Sequence, residues 1–247
     1  MTIMDDGICL HAELDRPEGF NNGPLCIVIH GFTGHSEEQH ILAVSKTMNS
    51  LGIATLRVDM YGHGKSGGSF REHTLYKWLT NAMTVIDYAR GLDFVTKLYL
   101  CGHSQGGLTS ILAAAMKRDV IDALIPLSPA NMIPEASRRG ELLGVTFDPS
   151  HVPETLSSWD GRLLSGNYVR VAQTIYVEKA IDNYPGPVLL VHGDADEAVP
   201  FEEAEKAVAR YQNATLIRIS GDDHCYNFHL DQVTDAIRTW ILKNSLE

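Results

Sequence analysis

Leu98-Tyr99-Leu100-Cys101-Gly102-His103-Ser104-Gln105-Gly106 is the stretch from which the rest of the chain can be read. Four apolar residues run into a G-x-S-x-G pentapeptide, and Leu108-Thr109-Ser110-Ile111-Leu112-Ala113-Ala114-Ala115 continues with a helical pattern. Strand, tight turn and helix in that order push a serine hydroxyl out of the chain as a nucleophile. Positions two before and two after Ser104 then tolerate almost no side chain, hence Gly102 and Gly106. The helix that follows aims free N–H groups and its positive dipole end at the same spot.

Outward from this turn, apolar runs alternate with helical patterns. Strands are expected at 8–14, 25–30, 54–59, 97–101, 121–127, 187–192 and 214–219, and helices at 38–51, 73–90, 105–117, 201–211 and 229–243. In 73–90, Leu75, Trp78, Leu79, Ala82, Val85, Ile86 and Ala89 recur three and four apart, the period of one buried face. Leu25-Cys26-Ile27-Val28-Ile29 and Val188-Leu189-Leu190-Val191 are apolar throughout, as strands covered on both faces must be. The expected class is α/β, a mostly parallel, doubly wound sheet with right-handed crossovers. Between Ser128 and Pro187 the alternation stops. A loop of that length without structure is uncommon in a compact domain. A cap or lid inserted at about 129–185 into a single domain spanning 1–247 is the expectation, with a partial helix at 163–179.

The length of 247 residues suits one domain with a sizeable core. A net charge of −11 argues against nucleic acid or an anionic membrane as partner and leaves room for a neutral small molecule. Met1 to Leu14 shows no basic start followed by an apolar stretch, and no window approaches the ~18 apolar residues of a membrane helix. Cys9, Cys26, Cys101 and Cys225 are scattered, which fits a reduced, cytoplasmic setting. The oligomeric state is open, a homodimer included.

A serine needs a base to take its proton, and a carboxylate must fix the tautomer of that base. In a fold of this kind they follow in the order Ser, Asp or Glu, His. Val188-Leu189-Leu190-Val191-His192-Gly193 runs into a turn holding Asp194 and Asp196, either of which can supply the carboxylate. After the next strand comes Gly221-Asp222-Asp223-His224. His224 is the expected base, because His229 opens the last helical pattern and faces solvent. The oxyanion needs two donors. Gln105 N–H, next to the nucleophile, is one. Phe32 N–H, in His30-Gly31-Phe32-Thr33-Gly34 after an early strand, is the expected second. Gly62-His63-Gly64-Lys65-Ser66-Gly67 matches G-x-G-x-x-G but does not open a helix directly, so it reads as a structural turn. Histidines at metal-ligand spacing are absent, so neither metal nor cofactor is expected.

Five motifs in order resemble the α/β-hydrolase superfamily: His30-Gly31-Phe32-Thr33-Gly34, Asp59-Met60-Tyr61-Gly62-His63-Gly64-Lys65-Ser66, Gly102-His103-Ser104-Gln105-Gly106, His192-Gly193-x-x-Asp196-x-x-Val199-Pro200, and Asp223-His224-Cys225. With the insert around Gly144-Val145-Thr146-Phe147-Asp148-Pro149, the chain is similar to the intracellular feruloyl (cinnamoyl) esterases of gut and rumen bacteria. The resemblance implies an α/β-hydrolase fold and hydrolysis of hydroxycinnamate esters. It carries Ser104, Asp196 and His224 over as catalytic triad, choosing Asp196 over Asp194, and Phe32 and Gln105 as oxyanion donors. It also implies that the insert binds the phenolic ring and that an acidic lid residue meets the ring hydroxyl, for which Glu135 is the nearby acidic residue. Trp159 offers a flat face and one N–H, as a wall for that ring or as packing between insert and core. A monoacylglycerol lipase or general carboxylesterase shares the machinery with another substrate. A non-catalytic binding protein of this fold would typically lack a triad member, and none is missing here.

Overall fold

The structure, a computed structural model, describes residues 1–244 and Leu246. The chain opens with a hairpin, β1 (Thr2–Asp5) and β2 (Ile8–Asp15). Asp6 and Gly7 at its turn have φ of 44° and 78°. An Asp-Gly pair with both φ positive matches the right-handed twist of the flanking strands. The sequence reading has the second of these strands and lacks the first, although Asp6-Gly7 is its signal. Then follow β3 (Gly23–Ile29), α1 (Gln39–Ser50), β4 (Ala54–Val58), α2 (Leu75–Arg90), β5 (Val95–His103), α3 (Gln105–Met116) and β6 (Ala123–Leu127). A long excursion contains α4 (Ile133–Arg139), the hairpin of β7 (Glu141–Leu142) and β8 (Val145–Thr146), the hairpin of β9 (Thr155–Ser157) and β10 (Leu163–Ser165), α5 (Asn167–Ala172) and α6 (Val177–Asn183). The chain closes with β11 (Val188–Gly193), α7 (Glu202–Val208), β12 (Ala214–Ile219) and α8 (Leu230–Lys243).

The main sheet runs β1-β2-β4-β3-β5-β6-β11-β12. Its first two pairings are antiparallel and the rest parallel. Period-two alternation splits each central strand between two cores. Leu25, Ile27 and Ile29 of β3 join Leu98 and Leu100 of β5 under α2 and α3. Cys26 and Val28 join Tyr99, Cys101, Leu189 and Val191 under α1 and α8. Helices on both faces explain why these strands carry no polar face, and the sheet is mostly parallel as expected. No helix among the described residues is long and apolar enough to cross a membrane.

Helix α2 begins where the Thr74 hydroxyl accepts the Lys77 N–H at 3.2 Å, so His73 and Thr74 lie outside it. Its buried stripe includes Leu75, Trp78, Ala82, Val85, Ile86 and Ala89. Leu79 is only half-buried, and the buried polar residue is Asn81. That side chain accepts the Tyr61 N–H at 3.0 Å and donates to Asp5, tying α2 to β1.

The insert differs most from expectation. Residues 163–179 are not one partial helix. Leu163–Ser165 pairs with Thr155–Ser157, and two short helices follow. Asp160-Gly161, with Gly161 at φ 81°, turns the hairpin. Gly166 ends it where a Cβ would lie 1.9 Å from the Pro153 carbonyl oxygen. Tyr168, Val169 and Ala172 of α5 are buried in the same core as α2 and α3, so the insert packs on the helical layer above the C-terminal strand edge.

The serine turn has no spare space. A Cβ on Gly106 would sit 2.3 Å from the His30 carbonyl oxygen and 2.5 Å from that of Ile29. One on Gly102 would meet the Gly106 carbonyl oxygen at 2.2 Å. Both obstacles are backbone and cannot rotate away. Gly106→Ala is therefore expected to cost about 3 kcal/mol, the upper range for overpacking, and roughly 6–12 °C in Tm for a protein of this size. Thermal melting checks it; a loss below about 2 °C would contradict the stated crowding.

Candidate active site

Ser104 sits between β5 and α3 with φ 55° and ψ −120°, a backbone state that L residues avoid. The surroundings hold it there. Its N–H donates to the Leu127 carbonyl at 2.9 Å, and its carbonyl accepts from Leu108 and Ala130 N–H, both at 3.0 Å. Thr33, Ser128 and Tyr226 are also non-glycine residues at positive φ, and all three lie in loops at the C-terminal ends of the parallel strands. Strain gathers at functional sites when the surrounding fold over-determines it.

Ser104 Oγ lies 2.8 Å from His224 Nε2, and His224 Nδ1 lies 2.7 Å from Asp196 Oδ2. The carboxylate can only accept, so Nδ1 carries the proton and Nε2 is free to accept from the serine hydroxyl. The three residues follow β5, β11 and β12, and the loops after those strands open on one sheet edge. Asp194 is not part of this line: it accepts the Gly221 N–H at 2.6 Å and faces Arg218.

The Asp196 carboxylate is fully buried and holds four hydrogen bonds. Oδ1 accepts from Ala198 and Val199 N–H at 2.9 and 2.8 Å, while Oδ2 accepts from His192 Nε2 at 3.1 Å as well as from His224. Burial pushes its pKa up; the hydrogen bonds from His192 and His224, the charge of His224 and the Val199 N–H outweigh that and hold it far below the usual carboxylate range. His192, the first residue of His192-Gly193, is thus a ligand of Asp196, a role the sequence reading did not assign. Gly193 is glycine because a Cβ there would lie 2.4 Å from the Asp222 carbonyl oxygen in the histidine loop. That loop is braced twice. Buried Asp222 accepts from the N–H groups of Asp223, Phe228 and His229. Tyr226 donates its hydroxyl to the Val191 carbonyl at 2.9 Å and accepts from Ser128 at 2.8 Å.

The loop of the second oxyanion candidate lies directly against the serine. A Cβ on Gly31 would come within 3.0 Å of Ser104 Cβ. Neither Phe32 N–H nor Gln105 N–H is taken by an acceptor among the described residues. Two histidines pin the loop. His30 donates from Nδ1 to the Gly31 carbonyl at 2.7 Å and accepts the Met60 N–H at Nε2. His63 donates from Nδ1 to the Tyr61 carbonyl and accepts the Thr33 N–H at 3.3 Å. Burial holds both rings neutral, pushing their pKa values down to about 4 and about 3. The glycine-rich stretch 62–67 is a turn, as expected; what sequence alone did not show is that its His63 steadies Phe32.

The Phe32 ring is the hub of an aromatic cluster. Phe70 and His73 lie at 5.3 Å between ring centroids, Trp159 at 5.2 Å and Tyr168 at 6.1 Å. Trp159 is 65% exposed and hangs over Phe32 from the β9–β10 turn. Tyr168 donates its hydroxyl to Gln105 Oε1 at 2.6 Å. Glu135 is not brought to this cluster. Its carboxylate accepts from Arg138 Nε at 3.0 Å, and Arg138 donates to the Gln173 and Ile175 carbonyls. These contacts cross-brace the insert. Among the described residues no group of three His, Cys, Asp or Glu is arranged to hold a metal ion.

The chain matches the family model described as Serine aminopeptidase, S33, over residues 22–157, and one described as TAP-like protein over residues 162–247. Among solved structures, Est1E from Butyrivibrio proteoclasticus with ferulic acid bound is similar at 60% identity and a TM-score of 0.98, with 100% of each chain covered. Human mitochondrial palmitoyl-protein thioesterase ABHD10 is 28% identical over 198 residues, 76% of this chain; the chain spans 61% of that relative's length. Mouse monoglyceride lipase is 25% identical over 265 residues, covering 94% of this chain and 85% of the lipase.

Proposed function

Since this chain belongs to the serine aminopeptidase family of α/β hydrolases, we propose that it is a serine ester hydrolase cleaving esters of hydroxycinnamic acids such as ferulic acid. The observation that carries the reading is the unbroken line from Ser104 through His224 to Asp196 beside the Phe32 and Gln105 N–H groups, which no acceptor takes among the described residues. The likeness to Est1E holding ferulic acid points to an aromatic acyl group. Ser104 attacks the ester carbonyl while His224 Nε2 takes its proton. Asp196 stabilises the imidazolium, and Phe32 and Gln105 N–H groups hold the oxyanion. His224 then protonates the leaving alcohol, and a water activated by the same ring releases the acid.

Residues 129–185 act in this reading as a lid on a single domain. Trp159 and Phe32 supply flat apolar walls to the acyl group. Gln105 Nε2 and the Asn131 amide, at the root of the insert, are buried polar atoms without a partner among the described residues and add the few polar contacts such a slot needs. Four free cysteines fit a reduced, cytoplasmic working place.

The test compares ethyl ferulate, a monoacylglycerol and p-nitrophenyl acetate, the glyceride being included because of the monoglyceride lipase relative. Ethyl ferulate is expected to have the highest kcat/KM of the two natural-type esters by at least about tenfold, 1.4 kcal/mol. Trp159→Ala is expected to remove roughly that factor for ethyl ferulate and little for the acetate, which is too small to reach the wall. A preference for the glyceride would replace the hydroxycinnamate reading with a lipase.

A further inference from the structure

The second residue of the serine turn is a histidine that acyl transfer itself does not use. His103 is buried at the end of β5, its ring centroid 4.7 Å from that of His224. His103 Nε2 lies 2.8 Å from the His224 carbonyl oxygen, and His103 Nδ1 lies 3.1 Å from Nε2 of His40 on α1. A carbonyl only accepts, so the proton of His103 sits on Nε2. A neutral ring then presents a lone pair at Nδ1, and the contact with His40 requires the proton on His40 Nε2. The direction of both bonds follows: His40 donates to His103, and His103 donates to the His224 main chain.

Both rings are held neutral. Burial lowers the His103 pKa well below its ordinary value, with the neighbouring His40 and His224 adding to it. Burial, then the charges of His224 and His35, bring His40 down to about 4. Glu38 Oε2 stands 3.9 Å from His40 Nε2, and Tyr226 and Asp196 face His103 from the loops after β12 and β11.

We propose that His40 and His103 are positioning residues: a relay of two imidazoles with fixed tautomers that anchors His224 and keeps the ring against it uncharged throughout the reaction. The proposal rests on the hydrolase reading above. When His224 takes the serine proton it becomes a cation, and a second cation in the adjacent ring would oppose that step. With His103 neutral and donating, the site avoids the repulsion. The bond to the His224 carbonyl also fixes the backbone from which the catalytic ring projects.

Steady-state hydrolysis of p-nitrophenyl acetate tests this. His103→Leu is expected to lower kcat roughly 30-fold, within the 10²-fold that a small misplacement costs, with KM nearly unchanged. His103→Gln, whose amide can donate to the His224 carbonyl and accept from His40, is expected to recover most of that loss. His40→Leu leaves His103 Nδ1 without its donor, so that ring takes up a proton more readily. Its kcat is expected to fall further behind wild type as pH drops from about 8 to about 6. His40→Gln, which keeps a donor, should restore the wild-type profile. If a Leu variant does not fold, His103→Asn, too short to span both partners, takes its place in the comparison with His103→Gln. Gln variants no better than their Leu or Asn counterparts, or a His40→Leu profile parallel to wild type, would overturn the relay and leave a packing role. Ser104→Ala measured alongside separates the two levels: turnover surviving there strikes at the hydrolase reading itself.

Discussion

Asp196→Asn is expected to lower kcat about 10⁴-fold with the fold retained, the size of effect that follows when a triad histidine is driven into the wrong tautomer. The two oxygens of Asp196 have different partners, and this determines how an amide must sit. Oδ1 accepts from the Ala198 and Val199 N–H groups, so the Asn oxygen takes that place. Its NH₂ then faces His224 Nδ1 and His192 Nε2, which both donate in the wild type. Donor meets donor, His224 moves its proton to Nε2, and Ser104 loses its base. Burst and steady-state kinetics on an activated ester read this directly; a kcat within tenfold of wild type would refute the assignment of the carboxylate.

The same substitution has a stability signature. The folded state holds the Asp196 pKa far below the ordinary carboxylate value of about 3.9. Such a group contributes stability that is fully present above the unfolded pKa and is lost as pH falls from there towards the folded value. Wild type is therefore expected to lose its Tm advantage over Asp196→Asn below about pH 4. Melting curves between about pH 7 and about pH 3 measure the convergence; a constant difference across that range would contradict it.

Ser104→Ala is expected to reduce turnover of ethyl ferulate by three or more orders of magnitude while leaving Tm close to wild type. Among the described residues the Oγ makes one hydrogen bond, to His224 Nε2 at 2.8 Å, worth about 1 kcal/mol net. The turn is held by backbone bonds and glycine contacts that alanine leaves untouched. Residual hydrolysis comes from the oxyanion donors acting on water. Kinetics paired with melting checks both halves, and near-normal esterase activity would remove Ser104 from the mechanism.

Most of the main sheet was legible because its central strands, Leu25 to Ile29 and Val188 to Val191 above all, are apolar on both faces, as strands covered by helices on both sides must be. The elements missed include helix α4 and hairpins with short strands. Thr2–Asp5 and the β9–β10 pair carry little apolar periodicity, yet each is turned by an Asp-Gly pair, Asp6-Gly7 and Asp160-Gly161. The turn chemistry was present and the periodicity that strand readings rely on was not. The break at Gly166 was not legible, because it depends on the Pro153 carbonyl oxygen packing against it.

Sequence by itself determined the parts whose cause is local. Gly102 answers to crowding by the Gly106 carbonyl four residues on, and the order Ser104, Asp196, His224 follows from which strands end in loops. Only the tertiary structure decided what surrounds them. His63 under the Phe32 loop, His103 behind His224 and Trp159 over Phe32 are contacts across the fold, two of them spanning more than a hundred residues along the chain. The physical reason lies in the imidazole. A histidine presents a donor and an acceptor whose assignment is set by its neighbours in space, so its role is absent from its place in the chain until the chain has folded.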